Sequence, residues 1–176
     1  MNVKKLVKEL SLINPCEDFG QDLFNSLARI TYFNSIELIP LRIIQSGEIE
    51  VFMIPRPEDE KDVYSGQYHC PGSVFRLAET EKDVIARLGR IELFKEIKLL
   101  GFVGVSNNIH AKKGHEFGFI FICDIGEVGE EIGKWFNVDD LPENTVKHHR
   151  GMISIAVKKY DRWLKGDEFT VPFVSF

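Results

Sequence analysis

The sequence predicts an α/β domain in which helices enclose a mixed β-sheet, an α-β-α layered sandwich. Three observations predict it. Apolar residues recur at helical spacing near both ends of the chain and once in its middle. Between those segments the period shortens to that of extended strands, and turns containing Gly or Pro separate the strands. The resulting order of helices, strands, helix, strands and helix suits a sheet covered on both faces. At 176 residues the chain has the length of one compact domain.

Val3, Leu6, Val7 and Leu10 mark one face of a first helix. Asn14-Pro15-Cys16-Glu17 offers a cap, a proline at the first helical position and an acid at the third, and Phe19, Leu23, Phe24, Leu27 and Ile30 supply the apolar side of a second helix. Residues 1–34 therefore read as a helical extension packed on a domain at 35–176. From Ser35 the chain is extended. Residues 36–44 form a strand in which Pro40 suggests an edge or a bulge, Gln45-Ser46-Gly47 turns, and 49–54 return. Residues 55–65 are a polar loop, and 68–75 are extended again but broken by Pro71-Gly72. Thr80-Glu81-Lys82-Asp83 caps a helix with a stripe of Val84, Ile85, Leu88 and Ile91. Strands at 97–105 and 117–125 flank a polar loop at 106–114, and a short strand at 135–138 places Trp135 and Phe136 in the core. A closing helix at 145–164 carries Ile153, Val157, Tyr160 and Leu164.

Composition narrows the function. Twenty-two basic against 27 acidic residues give a net charge of −5, which disfavours sequence-independent nucleic-acid binding. The first ten residues are interrupted by charge every two or three positions, so no signal-peptide core is expected, and no apolar run is long enough to span a membrane. Cys16, Cys70 and Cys123 are far apart and lack metal-ligand spacing, which reads as reduced, mostly buried thiols in a cytoplasmic protein.

The stretch that carries chemistry runs from His69-Cys70-Pro71-Gly72-Ser73 through Glu79 and Arg87 to Glu92. A strand, a loop and a capped helix in succession gather backbone groups and acids where a metal–phosphate ligand can sit. At about 100° per residue, Glu92 falls within about 20–40° of Ile85 and Leu88, on the semi-buried side of the helix. A carboxylate there loses hydration unless an ion or a donor compensates, and magnesium, which often takes only one or two protein carboxylates, is a fair candidate. Glu79 and Arg87 read equally well as an ion pair bracing the loop. Arg56, His69 and His115 are candidate substrate contacts, with His110 in the same loop as His115.

These residues resemble the signature of the Nudix superfamily, which reads Gly, five residues, Glu, seven residues, then Arg-Glu-U-x-Glu-Glu-x-Gly-U, with U a bulky aliphatic. Ser73 stands at the signature Gly, Glu79 at the isolated Glu and Arg87 at the Arg, with spacing intact. Leu88 and Ile91 replace two of the acids, and Glu92 is the survivor. The Pro71-Gly72 turn, the strands around it and the Trp135 strand leading to Asp139-Asp140-Leu141-Pro142 also look like the family. The resemblance implies the Nudix fold. The pattern Arg87-Leu88 to Glu92-Leu93 is similar to the reduced box of GDP-mannose mannosyl hydrolases, a branch that lacks two of the usual acids, holds one magnesium and attacks the sugar carbon. Two features depart from that branch: the loop at 127–133 has Glu130 and Glu131 but no histidine, and Ser73 could crowd a carbonyl that should face the metal.

Two functions follow as expectations. The first is a magnesium- or manganese-dependent Nudix-type hydrolase of a nucleoside diphosphate linked to another moiety, with a nucleotide sugar as one such substrate. Glu79, Arg87 and Glu92 are its catalytic candidates, and its metal ligands are drawn from Glu92, Glu79, Glu130 and Glu131. The second is an inactive Nudix-fold module that binds a nucleotide or a partner. Both imply a small-molecule nucleotide-type ligand, with neither nucleic acid nor membrane, and the resemblance is compatible with a homodimer.

Overall fold

The computed structural model describes residues 2–14, 20–59, 62–110 and 114–168. Among them are four α-helices and seven strands, in the order α1 (Val3–Leu10), α2 (Gln21–Ala28), β1 (Tyr32–Ile43), β2 (Ile49–Pro55), β3 (Tyr68–His69), β4 (Gly72–Val74), α3 (Glu81–Leu88), β5 (Lys98–His110), β6 (Gly114–Asp124), β7 (Lys134–Asn137) and α4 (Lys147–Leu164). The strands form one mixed sheet ordered β3-β2-β1-β6-β5, with β4 also on β1 and β7 on β2. Strands β1 and β6 run parallel and every other pairing is antiparallel.

The centre of the sheet is β1, whose residues from Ser35 to Leu41 are buried without a break. A strand buried on both faces must be covered on both. One cover is α4: Met152, Ile153, Ala156 and Tyr160 pack with Ile39, Leu41, Val51 and Ile122. The other is α3, whose Val84, Ile85 and Leu88 pack with Ile36, Leu38, Phe52 and Phe121. The α-β-α sandwich expected from the segment order is the architecture observed.

Several local expectations are corrected. Pro40 lies in the central strand, not at an edge. It sits where β1 exchanges β4, paired at 35–37, for β2, paired at 41–43, so its missing N–H falls at a change of partner. The polar segment expected as a loop at 106–114 is mostly the end of a long hairpin, with β5 paired to β6 as far as His110↔Gly114. Its polar side chains hide it, because ladder hydrogen bonds do not require apolar residues. His115 consequently sits on a strand. Ile91 leaves the apolar stripe and is 49% exposed. The cause is that α3 widens into a π-turn at Gly89–Leu93, which breaks the 3.6-residue phase.

At the N-terminus α2 begins at Gln21 behind Gly20, while the cap expected at Asn14-Pro15-Cys16-Glu17 lies largely outside the described residues. Helix α1 has no buried residue, and α2 contributes Ala28 to the core and stacks Phe24 on Phe33 at 4.8 Å. Cys70 and Cys123 are free and buried, and burial pushes both thiols up, as expected of inert core cysteines. No described helix is long and apolar enough to cross a membrane.

Candidate functional site

The loop from β4 to α3 is held by one side chain. Arg87, 7% exposed, donates from Nε and Nη2 to the two carboxylate oxygens of Glu79 at 2.7 Å each, from Nη1 to Ser73 Oγ at 2.7 Å and from Nη2 to the Val74 carbonyl at 2.8 Å. Glu79 also accepts from the Arg76 N–H at 2.8 Å. The hydrogen bonds from Arg87, foremost, hold the Glu79 carboxyl below its ordinary value. Ser73 has its hydroxyl drawn to Arg87. The helix behind this loop starts with a full capping box: Thr80 Oγ1 accepts from the Asp83 N–H, and Asp83 accepts from the Thr80 N–H.

Glu92 lies in the π-turn, a geometry frequent at functional sites. The backbone N–H of Gly72, the second half of the Pro71-Gly72 turn, is among the groups that favour its charged form. Its Oε2 is buried with no hydrogen-bond partner. Burial raises its pKa to about 7, against the lowering influence of Arg56, the Gly72 N–H and Arg87. The left-handed turn that follows is made by Phe94, with φ of 53°.

A second acid shares this place. Glu37, on β1, is 6% exposed and accepts from Ser35 Oγ at 3.0 Å. Burial raises its pKa well above the ordinary value, with Glu116 and Glu92 adding to the rise. Glu37, Glu92 and Glu116 thus make one negative region, bordered by Arg56, which pairs with Asp62 and stands 6.0 Å from the Tyr64 ring. Burial, then Glu116, pushes the Tyr64 hydroxyl up to about 12.

The fold therefore brings Ser73, Glu79 and Arg87 together in one cluster, and Glu92 beside Gly72 in the next. Arg56 is close enough to bear on Glu92 and Glu37. His69 is on β3 with its ring edge-on to buried His149 at 6.1 Å, and His149 Nδ1 accepts from the Cys70 N–H. His115 lies on the β5–β6 hairpin, bonded to Asn107 and tilted against Phe117. Glu130 and Glu131 are exposed, and the Glu131 carboxylate folds back on Gly129. Neither is among the charges that act on Glu92 or Glu37. Glu37, Glu116 and Tyr64 were not singled out from sequence. The available signal for Glu37 was an acid inside an otherwise apolar strand, between Ile36 and Leu38.

Among the described residues no group of three or more His, Cys, Asp or Glu is placed to hold a metal ion. A cavity of about 670 Å³ lies elsewhere, against Lys82, Ile85, Arg90, Phe94 and Ile97, and contains none of the acids above.

Solved structures with the same architecture carry consistent descriptions. A mutT/nudix family protein from Listeria innocua superposes with a TM-score of 0.61 at 14% identity, over 78% of this chain and 98% of that one. The Ap4A hydrolase of C. elegans matches with a TM-score of 0.56 at 14% identity, over 76% and 99%. The chain has the Nudix fold. Shewanella oneidensis NrtR, complexed with a 27mer DNA, also shares it, with a TM-score of 0.53 at 14% identity over 73% of this chain and 62% of that chain. No protein-family model matches the sequence, and neither does any curated protein.

Proposed function

We propose that the protein is a metal-dependent Nudix-type hydrolase of a nucleoside diphosphate linked to another moiety, with nucleotide sugars the substrate class that its reduced box favours. The observation that carries this reading is the Glu92 carboxylate at the π-turn, left with a buried oxygen that no described protein group satisfies. A buried carboxylate without a partner suits a bound cation. Magnesium and manganese fit a site with few carboxylates, because they retain waters and take further oxygens from substrate phosphates. When bound, such an ion supplies Lewis-acid assistance to departure of the phosphate.

The chain's own residues do the rest. Arg87 and Glu79 are positioning residues, because they fix the Ser73–Val74 segment beside Gly72 and both Glu79 carboxylate oxygens are engaged in doing so. Arg56, on the loop after β2, is placed to meet a diphosphate, and its partner Asp62 holds it there. Leu88 is fully buried and Ile91 faces outward, so neither replaced acid has a substitute on the helix itself. The overall negative charge favours a small anionic ligand delivered with a cation over a nucleic acid.

The two missing acids also favour a second reading, a module that binds nucleotide without turnover. One experiment separates the two. Purified protein is incubated with nucleotide sugars, dinucleoside polyphosphates and nucleoside triphosphates, with and without magnesium, and products are read by phosphorus NMR. The hydrolase reading expects a magnesium-dependent product whose phosphorus pattern distinguishes attack at carbon from attack at phosphorus. No product from any compound, with a ligand still raising Tm, overturns it in favour of the binding module.

A further inference from the structure

We propose that Glu37, on β1 and outside the segment that resembles the signature, is a second carboxylate ligand for the cation held by Glu92. The inference rests on the metal-dependent reading above and adds a residue to it.

Placement comes first. In the β1–β4 ladder the Leu38 N–H donates to the Pro71 carbonyl and the Phe75 N–H to the Asn34 carbonyl, both at 2.9 Å. Bonded and non-bonded pairs alternate in an antiparallel ladder, so Glu37 and Gly72, opposite each other, form a non-bonded pair with closely approaching side-chain positions. The Gly72 N–H accordingly points away from β1, and it is among the groups that act on Glu92. On its other side, Gly72 makes room for Glu37: a Cβ at this position would stand 2.4 Å from Glu37 Oε2 and 3.0 Å from Oε1. Gly72 thus adjoins the strand carboxylate and acts through its N–H on the carboxylate at the end of the helix.

Charge comes second. Neither Glu37 nor Glu92 forms an ion pair with any described cation, and the guanidiniums nearest in influence are committed elsewhere, Arg56 to Asp62 and Arg87 to Glu79. Glu37 has a single hydroxyl donor, Ser35, and Glu92 Oε2 has none. A buried carboxylate and a half-buried one with a buried oxygen, with Glu116 adding further negative charge, have no ion-pair partner among the described residues. Proteins resolve that arrangement by protonation or by a bound cation. A divalent ion with hard oxygen preference matches two carboxylates plus waters. Glu37 therefore supplies from the sheet what Leu88 and Ile91 no longer supply from the helix.

The test is titration of the full chain with Mn²⁺ alone, followed by isothermal calorimetry and by the paramagnetic signal of free ion. Wild type, Glu37→Gln, Glu37→Asp and Glu92→Gln are compared, with Tm in metal-free buffer confirming that each is folded. The expected result is Mn²⁺ binding by wild type, weakened at least tenfold in both Glu37→Gln and Glu92→Gln and partly recovered in Glu37→Asp. Should Glu37→Gln be unfolded, Glu37→Asp carries the test, with a weaker affinity than wild type expected because its carboxylate is one methylene short. Wild-type affinity in the Glu37 variants alongside loss in Glu92→Gln overturns the role of Glu37 and leaves the proposed function standing. No Mn²⁺ binding by wild type overturns both.

Discussion

Two neighbouring carboxylate clusters lie along the same helical run, and they are built in opposite ways. At the β4–α3 loop, Glu79 has every oxygen engaged, by the Arg87 guanidinium and by the Arg76 N–H, and its carboxyl is held below the ordinary range. At the π-turn, Glu92 has an orphaned buried oxygen and a pKa raised to about 7, and Glu37, on which its charge acts, is raised as well. The first cluster is electrostatically closed and suits a brace. The second is open and suits a ligand. Counting acids does not distinguish them, whereas counting the partners of each oxygen does.

The largest expected effect comes from opening the closed cluster. Arg87→Ala leaves Glu79 without its cation and frees Ser73 Oγ and the Val74 carbonyl. Removing one member of a largely buried pair costs about 3–5 kcal/mol, so Tm is expected to fall by about 10 °C. Calorimetric melting checks it. A loss under about 1 kcal/mol would mean that the loop is held by something other than this network.

Neutralising the open cluster is expected to act in the opposite direction. The Glu92 carboxyl has an ordinary value of 4.5 and a folded value of about 7. Between these values the unfolded chain binds fewer protons than the folded one, so metal-free stability falls as pH rises through that window and levels off above it. The size is up to about 3 kcal/mol. Glu92→Gln cannot ionise. It is therefore expected to match wild type near pH 4.5, to exceed it in stability at pH 8, and to lose hydrolysis. Urea unfolding at the two pH values measures this, and parallel profiles for the two proteins would refute it.

Gly72→Ala joins the two designs, because the added Cβ occupies the space of the Glu37 carboxylate without removing the N–H that serves Glu92. The side chain, not the backbone, must yield, so the stability change is expected to stay within about 1–3 kcal/mol. Mn²⁺ affinity should fall with it. Unchanged affinity would separate Glu37 from the cation site.

How much of this was legible in sequence follows the same division. The layered α/β architecture, the α3 cap and the Glu79–Arg87 spacing are local patterns, written in residues close along the chain, and they read directly. Glu92 was legible as semi-buried from helical phase, although the π-turn that carries it was not, which is why Ile91 was expected inside. Glu37 lies 55 positions before Glu92 and meets it only through sheet pairing of β1 with β4. Nothing in the local pattern around Glu37 announces that register. The polar end of the β5–β6 hairpin was missed for a related reason, since its order comes from a partner strand and not from apolar periodicity.

The smallest expected effect tests whether the two clusters are independent. Thr80 Oγ1 accepts from the Asp83 N–H at 3.3 Å, and Asp83 accepts from the Thr80 N–H at 2.8 Å, closing the first turn of α3. Thr80→Ala removes half of that box and is expected to cost about 1 kcal/mol. Because Glu92 sits beyond the far end of α3, the loss should appear in Tm and not in Mn²⁺ affinity. Calorimetry on the metal-free variant and Mn²⁺ titration of the same sample measure both quantities. Were affinity to fall along with stability, the helix start and the cation site would be one cooperative unit. The brace would then serve the metal directly, and the contrast between a closed structural cluster and an open functional one would not hold.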